Sequence, residues 1–416
     1  MEIFKPEFQP KDVFTPRGEY NPDIYVNRPT YEEVFGFAID SSMCILVHGQ
    51  SGTGKTWLTR RMLEKENIYY KVINLAKAAN CNSIYVCFKN ILLDVNWKIK
   101  IGHTEKKSAG VSLGGVADGH LETSTNYAKS VDYFVEFLKY MKSEAKGTQK
   151  KYIVFENMET VLNNTKLIKE LANLITLIDD DEIAQYKTKY IIIGATQEIH
   201  QYFSKVPNIN TIDNRLYELP DVGTLTNKQT RILMIRGFNK LNLRFESEDI
   251  KEHCLEEFMR ITAGIPQRVH ELCLTFTQKV WGKNREIREN DIEEGKKAWV
   301  RTSLNKNYIY ISKLLEAESS FRNKVLYCVA QKDALYFSNE TIDEDLRHEF
   351  PNYTHNRTIV STKVLNELCK GRYPLLVKVE DSISHYAFAD FKCALCLRAV
   401  LDKRDEKVYR NDIYEI

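Results

Sequence analysis

The sequence lacks any apolar run of membrane-spanning length, and Met1-Glu2-Ile3-Phe4-Lys5-Pro6 lacks the apolar core of a signal peptide. A soluble, cytoplasmic chain that makes no membrane contact is the expectation. It also lacks a surplus of one charge: 59 Lys and Arg against 57 Asp and Glu leave +2 at neutral pH. That argues against a strongly electrostatic nucleic-acid binder while leaving room for a local basic face. The nine cysteines form no framework of short spacings, which suits a reducing compartment. Cys393-Ala394-Leu395-Cys396 has metal-like spacing, but no second pair or histidine pattern completes a site, so it reads as packing in an apolar helix. No nuclease, protease or deaminase constellation is visible. What is there is 416 residues, 43% hydrophobic and 28% charged, enough for two or three domains with cores of their own.

One stretch organises the rest. Cys44-Ile45-Leu46-Val47 reads as a buried strand, and a helical pattern resumes at Thr56 with Leu58, Met62 and Leu63 on one face. Between them runs Gly49-Gln50-Ser51-Gly52-Thr53-Gly54-Lys55-Thr56, followed by Trp57. The glycines let consecutive backbone N–H groups face phosphate oxygens, and the helix beginning near Lys55 turns its positive dipole end to the same anion. Lys55 is placed to reach the β- and γ-phosphates and Thr56 to ligate Mg²⁺. Strand, loop and helix together predict a nucleoside triphosphate site.

Taken in order, residues 1–27 are rich in proline and aromatics and read as an extended arm. Thr30 is a candidate cap for a helix through Tyr31, Val34, Phe35 and Ala38. A strand at 70–75 and a helix over 82–96 follow. Residues 97–128 then lose helical pattern, and a hairpin-like surface insertion is expected there. A helix over 129–142 leads to Lys151-Tyr152-Ile153-Val154-Phe155-Glu156-Asn157, a strand whose end places Glu156 to share Mg²⁺. A further helix precedes the strand Tyr190-Ile191-Ile192-Ile193-Gly194-Ala195-Thr196, where Thr196 and Gln197 bring polar groups toward a γ-phosphate or its attacking water. Near-continuous apolar strands alternating with helices predict an α/β fold, a parallel sheet covered on both faces, with nucleotide at the strands' carboxyl ends.

From Leu225 the period is helical, over 226–241, 247–262, 266–281 and 290–316. Gly264-Ile265-Pro266 breaks the run, and Arg268 just after it can reach back to phosphates. Residues 319–403 read as helices followed by two strands around Glu380-Asp381-Ser382, the outline of a winged helix. The expected organisation is an arm (1–27), an ATPase core (28–222, with the 97–128 insertion), a helical lid (223–304), a winged-helix-like domain (305–404) and a tail (405–416).

Tyr25-Val26-Asn27-Arg28, the phosphate loop, Ile153-Val154-Phe155-Glu156-Asn157, Ile192-Ile193-Gly194-Ala195-Thr196, Asn214-Arg215-Leu216 and Gly264-Ile265-Pro266-Gln267-Arg268 together resemble an AAA+ P-loop ATPase. The likeness is to the origin-recognition-like and STAND-like branch, in which a winged helix follows the lid, and it covers about residues 12–400. It implies that Arg28 lies in the adenine-cradling segment, that Lys55 and Thr56 are Walker A, and that Glu156 is the Walker B acid. It further implies that Thr196 is sensor 1, that Arg215 is offered to a neighbour's nucleotide, and that Arg268 falls in the sensor 2 region. One departure stands out: the second Walker B acid is Asn157 here, which orients a water but cannot accept its proton. Glu159 substitutes if the strand end turns sharply, and Gln267 competes with Arg268 to face the site.

These readings predict a nucleotide-dependent switch or assembly factor with slow Mg²⁺-dependent ATP hydrolysis, and the resemblance suggests defence signalling. A homo-oligomer and a separate effector protein are the expected partners. An ATP-dependent DNA loader is the alternative, with Arg357, Lys363, Lys370 and Arg372 as a phosphate-reading face, against which Glu367 and the acidic wing turn favour a protein-contacting or self-packing winged helix.

Overall fold

The computed structural model describes residues 8–41, 43–98, 132–194, 212–282, 285–315, 320–332, 336–379 and 385–414. It divides into two compact units, residues 28–51 with 55–222, and residues 1–27 with 52–54 and 223–416.

In the first unit the elements run α2 (Pro29–Asp40), β1 (Cys44–Val47), α3 (Lys55–Lys65), β2 (Tyr69–Asn74), α4 (Leu75–Cys81), α5 (Ile84–Asp94), α6 (Tyr133–Glu144), β3 (Lys151–Glu156), α7 (Thr165–Thr176), α8 (Asp181–Ala184), β4 (Thr188–Ile193) and β5 (Leu216–Glu218). The helix α1 (Pro10–Val13) precedes them and belongs to the second unit. The five strands form a parallel sheet in the order β2-β3-β4-β1-β5. Alternate residues explain why its strands read as unbroken apolar runs. Cys44 and Leu46, Ile153 and Phe155, and Tyr190 and Ile192 pack on one face with Phe88, Phe134 and Phe137. Ile45 and Val47, Tyr152 and Val154, and Ile191 and Ile193 pack on the other with Phe35, Leu58 and Met62.

Local differences from the sequence reading have simple causes. Pro29, not Tyr31, opens α2, with Arg28 at the cap in place of Thr30, because proline suits the first helical position. Leu75 leaves the strand to start α4, since the Asn74 side chain accepts from Ala76 N at 2.9 Å and caps it. Trp97 lies outside any strand; its ring packs on Tyr140 at 5.5 Å and its Nε1 donates to Glu136 at 3.2 Å. The rest of the expected insertion, from residue 99, lies outside the described residues.

The second unit continues with α9 (Asn227–Lys240), β6 (Arg244–Phe245), α10 (Glu248–Thr262), α11 (Pro266–Trp281), β7 (Glu286–Ile287), α12 (Glu289–Ser303) and α13 (Asn305–Ile311). The predicted helix over 290–316 is thus two, broken at the buried Leu304. Then come α14 (Phe321–Ala330), β8 (Phe337–Ser338), α15 (Asn339–Glu349), α16 (Pro351–Thr354), α17 (Thr362–Leu368), β9 (Leu376–Lys378), β10 (His385–Phe388), α18 (Phe391–Val400), β11 (Leu401–Arg404) and β12 (Lys407–Arg410). Strands β8, β10 and β9 form an antiparallel sheet in that order, and β11 pairs with β12. Cys393 and Cys396 are buried in α18, and no metal-binding cluster occurs among the described residues. The arm is part of this unit's core: Val13, Phe14, Ile24 and Val26 are buried in it. Phe14 lies so close to Gly237 of α9 that a Cβ there would come within 2.2 Å of its ring. No helix is long and apolar enough to cross a membrane among the described residues.

Candidate nucleotide site

The site grows from the end of β1. Gly49, Gly52 and Gly54 have φ of +143°, +87° and +91°, the region glycine enters without strain. At Gly49 a side chain has no room either, since a Cβ would sit 2.6 Å from Val222 O. The Lys55 head group lies back over this loop, donating to Gly49 O and Gln50 O at 2.7 Å each. Burial lowers the Lys55 pKa to about 8, against the opposing pull of Glu159 and then Asp221. Ser51 and Thr56 are exposed, Gln50 and Trp57 partly buried, and Thr53 is buried. A half-buried ammonium resting on two neutral carbonyls, beside a loop whose glycines hold a backbone that side chains rarely adopt, suits phosphate oxygens. The residues present fit a nucleotide.

The Mg²⁺ ligands expected from sequence are the Thr56 hydroxyl at the start of α3 and the Glu156 carboxylate at the end of β3. Glu156 is engaged already, its Oε1 2.9 Å from Arg60 Nη2. Burial raises its pKa, with Arg60 opposing. Arg60 sits one turn along α3 from Thr56, and its guanidinium stacks on Tyr70 at 4.8 Å. A hydroxyl and a carboxylate are the oxygen donors Mg²⁺ takes, so the set fits provided Arg60 yields the carboxylate. Asn157 has φ +63° and donates from Nδ2 to Asn74 Oδ1 at 3.0 Å. Its side chain bridges the ends of β3 and β2.

Arg28 is buried at the start of α2; its N–H donates to Glu32 Oε1 at 2.9 Å and its guanidinium lies 4.5 Å over the Tyr31 ring. Tyr31 in turn donates to Asp221 O at 3.0 Å. Arg215 lies 2.7 Å from Asp179 Oδ2 through Nε, and its carbonyl accepts from Cys44 N. Thr196 and Gln197 lie outside the described residues. In the second unit Arg268 is buried, donating from Nη1 to both oxygens of Glu271 at 2.6 and 2.7 Å. Gln267, not Arg268, touches Gly52, which groups with that unit: its N–H donates to Gly52 O at 3.2 Å.

Sequence reasoning missed Arg60, Asn74 and His48. His48 is buried immediately before Gly49, with Nε2 2.9 Å from Glu218 Oε1 and Nδ1 3.2 Å from Asp221 Oδ1. Asp221 therefore bears on both the entry to the loop and Lys55. Adjacency to Gly49 was the only signal for His48. For Arg60 it was the one-turn spacing from Thr56.

No family model matches the chain, and no curated protein is significantly similar to it in sequence. Solved structures are similar in fold. The Walker-type ATPase PABY2304 of Pyrococcus abyssi overlays with a TM-score of 0.50 at 16% identity, over 93% of this chain and 99% of that one. The Aeropyrum pernix ORC2 protein with ADPNP and ADP gives 0.50 at 12% identity, over 93% and 96%. The Thermotoga maritima RuvB branch-migration motor gives 0.42 at 11% identity, over 89% and 95%.

Proposed function

We propose that this chain, which shares the fold of AAA+ P-loop ATPases, binds ATP and acts as a nucleotide-dependent switch or assembly factor with slow Mg²⁺-dependent hydrolysis. The observation that carries the reading is Lys55 held on Gly49 O and Gln50 O inside a loop of left-handed glycines. A triphosphate replaces those two neutral acceptors with charged ones, and charge-assisted hydrogen bonds are the stronger. Loop N–H groups and the α3 terminus complete the cradle, and Arg28 and Tyr31 stand at the adenine side. A bound Mg²⁺ neutralises charge developing on the phosphates, and Thr56 with Glu156 would hold it. Arg60 must release Glu156 for this, which suits slow turnover. A role in defence signalling and a separate effector rest on the resemblance alone. Calorimetric titration with ATP and Mg²⁺ tests the reading, together with phosphate release at saturating ATP. A chain that takes up neither ATP nor ADP overturns it.

Oligomeric action is part of the proposal, with Arg215 leaving Asp179 to face a neighbour's γ-phosphate. Arg215→Ala should bind ATP normally but lose hydrolysis, and mixing it with Lys55→Ala should restore some turnover. No recovery in mixed oligomers shown to form counts against the shared site.

One observation favours the DNA-loader reading. We read residues 320–388 as a winged helix from the order helix, strand, helices, strand pair. On and beside its α17, Arg357, Lys363, Lys370 and Arg372 are all exposed, with Glu367 exposed between them and Tyr373 71% exposed. Basic groups interleaved with an aromatic suit a phosphate backbone. ATP-dependent duplex binding that weakens steeply with salt would support it; binding to no duplex at low salt rejects it.

A further inference from the structure

We propose that a cavity within the carboxy-terminal unit is a second ligand site, built for a small, multiply phosphorylated molecule met by Lys297, Arg404 and Arg410. The cavity measures about 820 Å³, inside the range of about 300–1,000 Å³ usual for small-molecule pockets. One wall is α10, where His253, Glu257 and Arg260 recur at helical spacing. Another is α12, through Glu289, Glu293, Lys296 and Lys297, and the β11–β12 hairpin forms the third. Facing stripes of packed helices are ordinarily apolar, whereas these are charged. Such walls turn away an apolar ligand and accept a polar one. No residue of the phosphate loop lines the cavity, so ligand binding here stands or falls without the ATPase reading.

The sign of the ligand follows from which charges are already answered. Each carboxylate lining the cavity has a partner. Glu257 lies 2.7 Å from Arg260 and 2.6 Å from Lys296, and Glu293 lies 2.8 Å from Lys296. Asp402 accepts from Asn411 Nδ2 at 2.6 Å, and Glu289 meets His253 Nδ1 at 2.6 Å. Asp412 accepts from the Tyr308 hydroxyl at 3.3 Å and from Tyr414 N at 3.2 Å. Arg260 and Lys296 are taken up by these acids, and Lys403 by Glu349 at 2.5 Å. Lys297, Arg404 and Arg410 have no carboxylate within ion-pair distance among the described residues. The two guanidiniums rest against neutral rings: Arg404 lies 5.6 Å over Tyr409, and Arg410 lies 5.7 Å over Tyr308, to whose hydroxyl it donates at 3.1 Å. The three cations come from three segments. Lys297 follows the buried Lys296 on α12. Arg404 shares a face of β11 with Asp402, which sits 3.9 Å from Lys296. Arg410 stands opposite Leu401 on β12. A lone phosphate fills little of this space and meets few of the cations. Several phosphates on one small scaffold match both volume and charge, and guanidiniums hold phosphate oxygens in pairs.

The test is calorimetry on the full-length chain with tripolyphosphate, inositol hexakisphosphate and citrate as separate probes. Lys55→Ala is the background, since it weakens the phosphate loop, and wild type saturated with a non-hydrolysable ATP analogue is a second. At least one phosphate probe should bind in both backgrounds and raise the melting temperature, with citrate about tenfold weaker or worse. Binding of either phosphate probe supports the site, and the tighter of the two gives the scaffold. Lys297→Gln, Arg404→Gln and Arg410→Gln should each weaken that binding about tenfold. In the wild-type background the same three substitutions should leave ATP affinity unchanged. Neither phosphate probe binding at about 1 mM would overturn the proposal. So would binding that survives all three substitutions, citrate binding as tightly as the phosphates, or duplex DNA held through these cations while the small probes are not. ATP binding that fails in wild type while a phosphate probe still binds defeats the ATPase reading and leaves this site standing.

Discussion

Two lysines removed from water show how the two units differ. In the carboxy-terminal unit Lys296 of α12 is 3% exposed, with Nζ 2.6 Å from Glu257, 2.8 Å from Glu293 and 3.9 Å from Asp402. Burial pulls its pKa down, but Glu257, Asp402 and Glu293 together raise it above the ordinary lysine value. In the amino-terminal unit Lys55 rests on two carbonyl oxygens, and there burial wins, lowering the pKa to about 8. One charge is fully answered by its surroundings and belongs to the structure. The other is left under-compensated, as an anion site requires. Arg398 extends the first pattern, donating to the carbonyls of Ala330, Arg260 and Lys332 and so joining α18 to α10 and α14.

The largest effect should come from breaking the answered charge. Lys296→Ala leaves Glu257, Glu293 and Asp402 crowded together, with Arg260 the remaining partner of Glu257. Loss of one partner from a buried pair costs roughly 3–5 kcal/mol. Denaturant unfolding should show it, while ATP affinity stays at the wild-type value. An unchanged midpoint would mean that Lys296 is no part of the stabilising network.

Acid should open a second closed position in the same unit. His270 is buried, its Nδ1 accepts from Thr15 N at 3.1 Å, and burial lowers its pKa to about 4. The unfolded chain, with an ordinary histidine, binds the proton more readily between about pH 6.5 and 4. Stability is therefore complete above pH 6.5 and falls as pH drops toward 4, by about 3 kcal/mol at 1.36 kcal/mol per unit. His270→Phe should flatten that part of the profile. A slope unchanged by the substitution places the titration on another group.

The under-compensated charge should respond in the opposite sense. On the proposed reading, Lys55→Ala removes the ammonium that would reach the β- and γ-phosphates. At about 3 kcal/mol for hydrogen bonds to charged groups, ATP affinity should fall about 100-fold. The melting temperature of the nucleotide-free protein should hold or rise, since a lysine with a lowered pKa costs stability at neutral pH. Wild-type affinity in calorimetry would remove Lys55 from the site.

Lys55 was legible because every fixed position of its loop is local in sequence, and the strand alternation around Ile45, Val154 and Ile191 reads just as directly. The helices α9, α10 and α11 were legible for the same reason. The answers to charge were not. Lys296 and Asp402, or Arg60 and Glu156, are far apart in the chain, and no periodicity pairs them. Short elements failed too: β5 and the two-residue strands β6 and β7 carry too few residues to show a period. Nothing in the arm's proline-rich composition indicated that Phe14 would fill the space left by Gly237. Glu156 was read from the end of its strand as well as from the family's pattern, and a sharp turn after it was weighed, but neither showed the left-handed conformation of Asn157 or its tie to Asn74.

The smallest expected effect is a pH slope confined to binding. With a pKa of about 8 in the free protein, Lys55 is mostly charged at pH 7 and mostly neutral at pH 9. Bound phosphates favour the charged form, so binding at high pH must first return the proton to Lys55. ATP affinity should be flat below pH 8 and about tenfold weaker at pH 9 than at pH 7, since each unit above the pKa costs a factor of ten. Lys55→Arg supplies the control, because a guanidinium keeps its charge across this range. It should bind ATP less well, having the wrong head group for two carbonyl-spaced acceptors, but without the slope. If Lys55→Arg kept the slope, the titrating group would be another, and the contrast with Lys296 would no longer rest on an uncompensated charge.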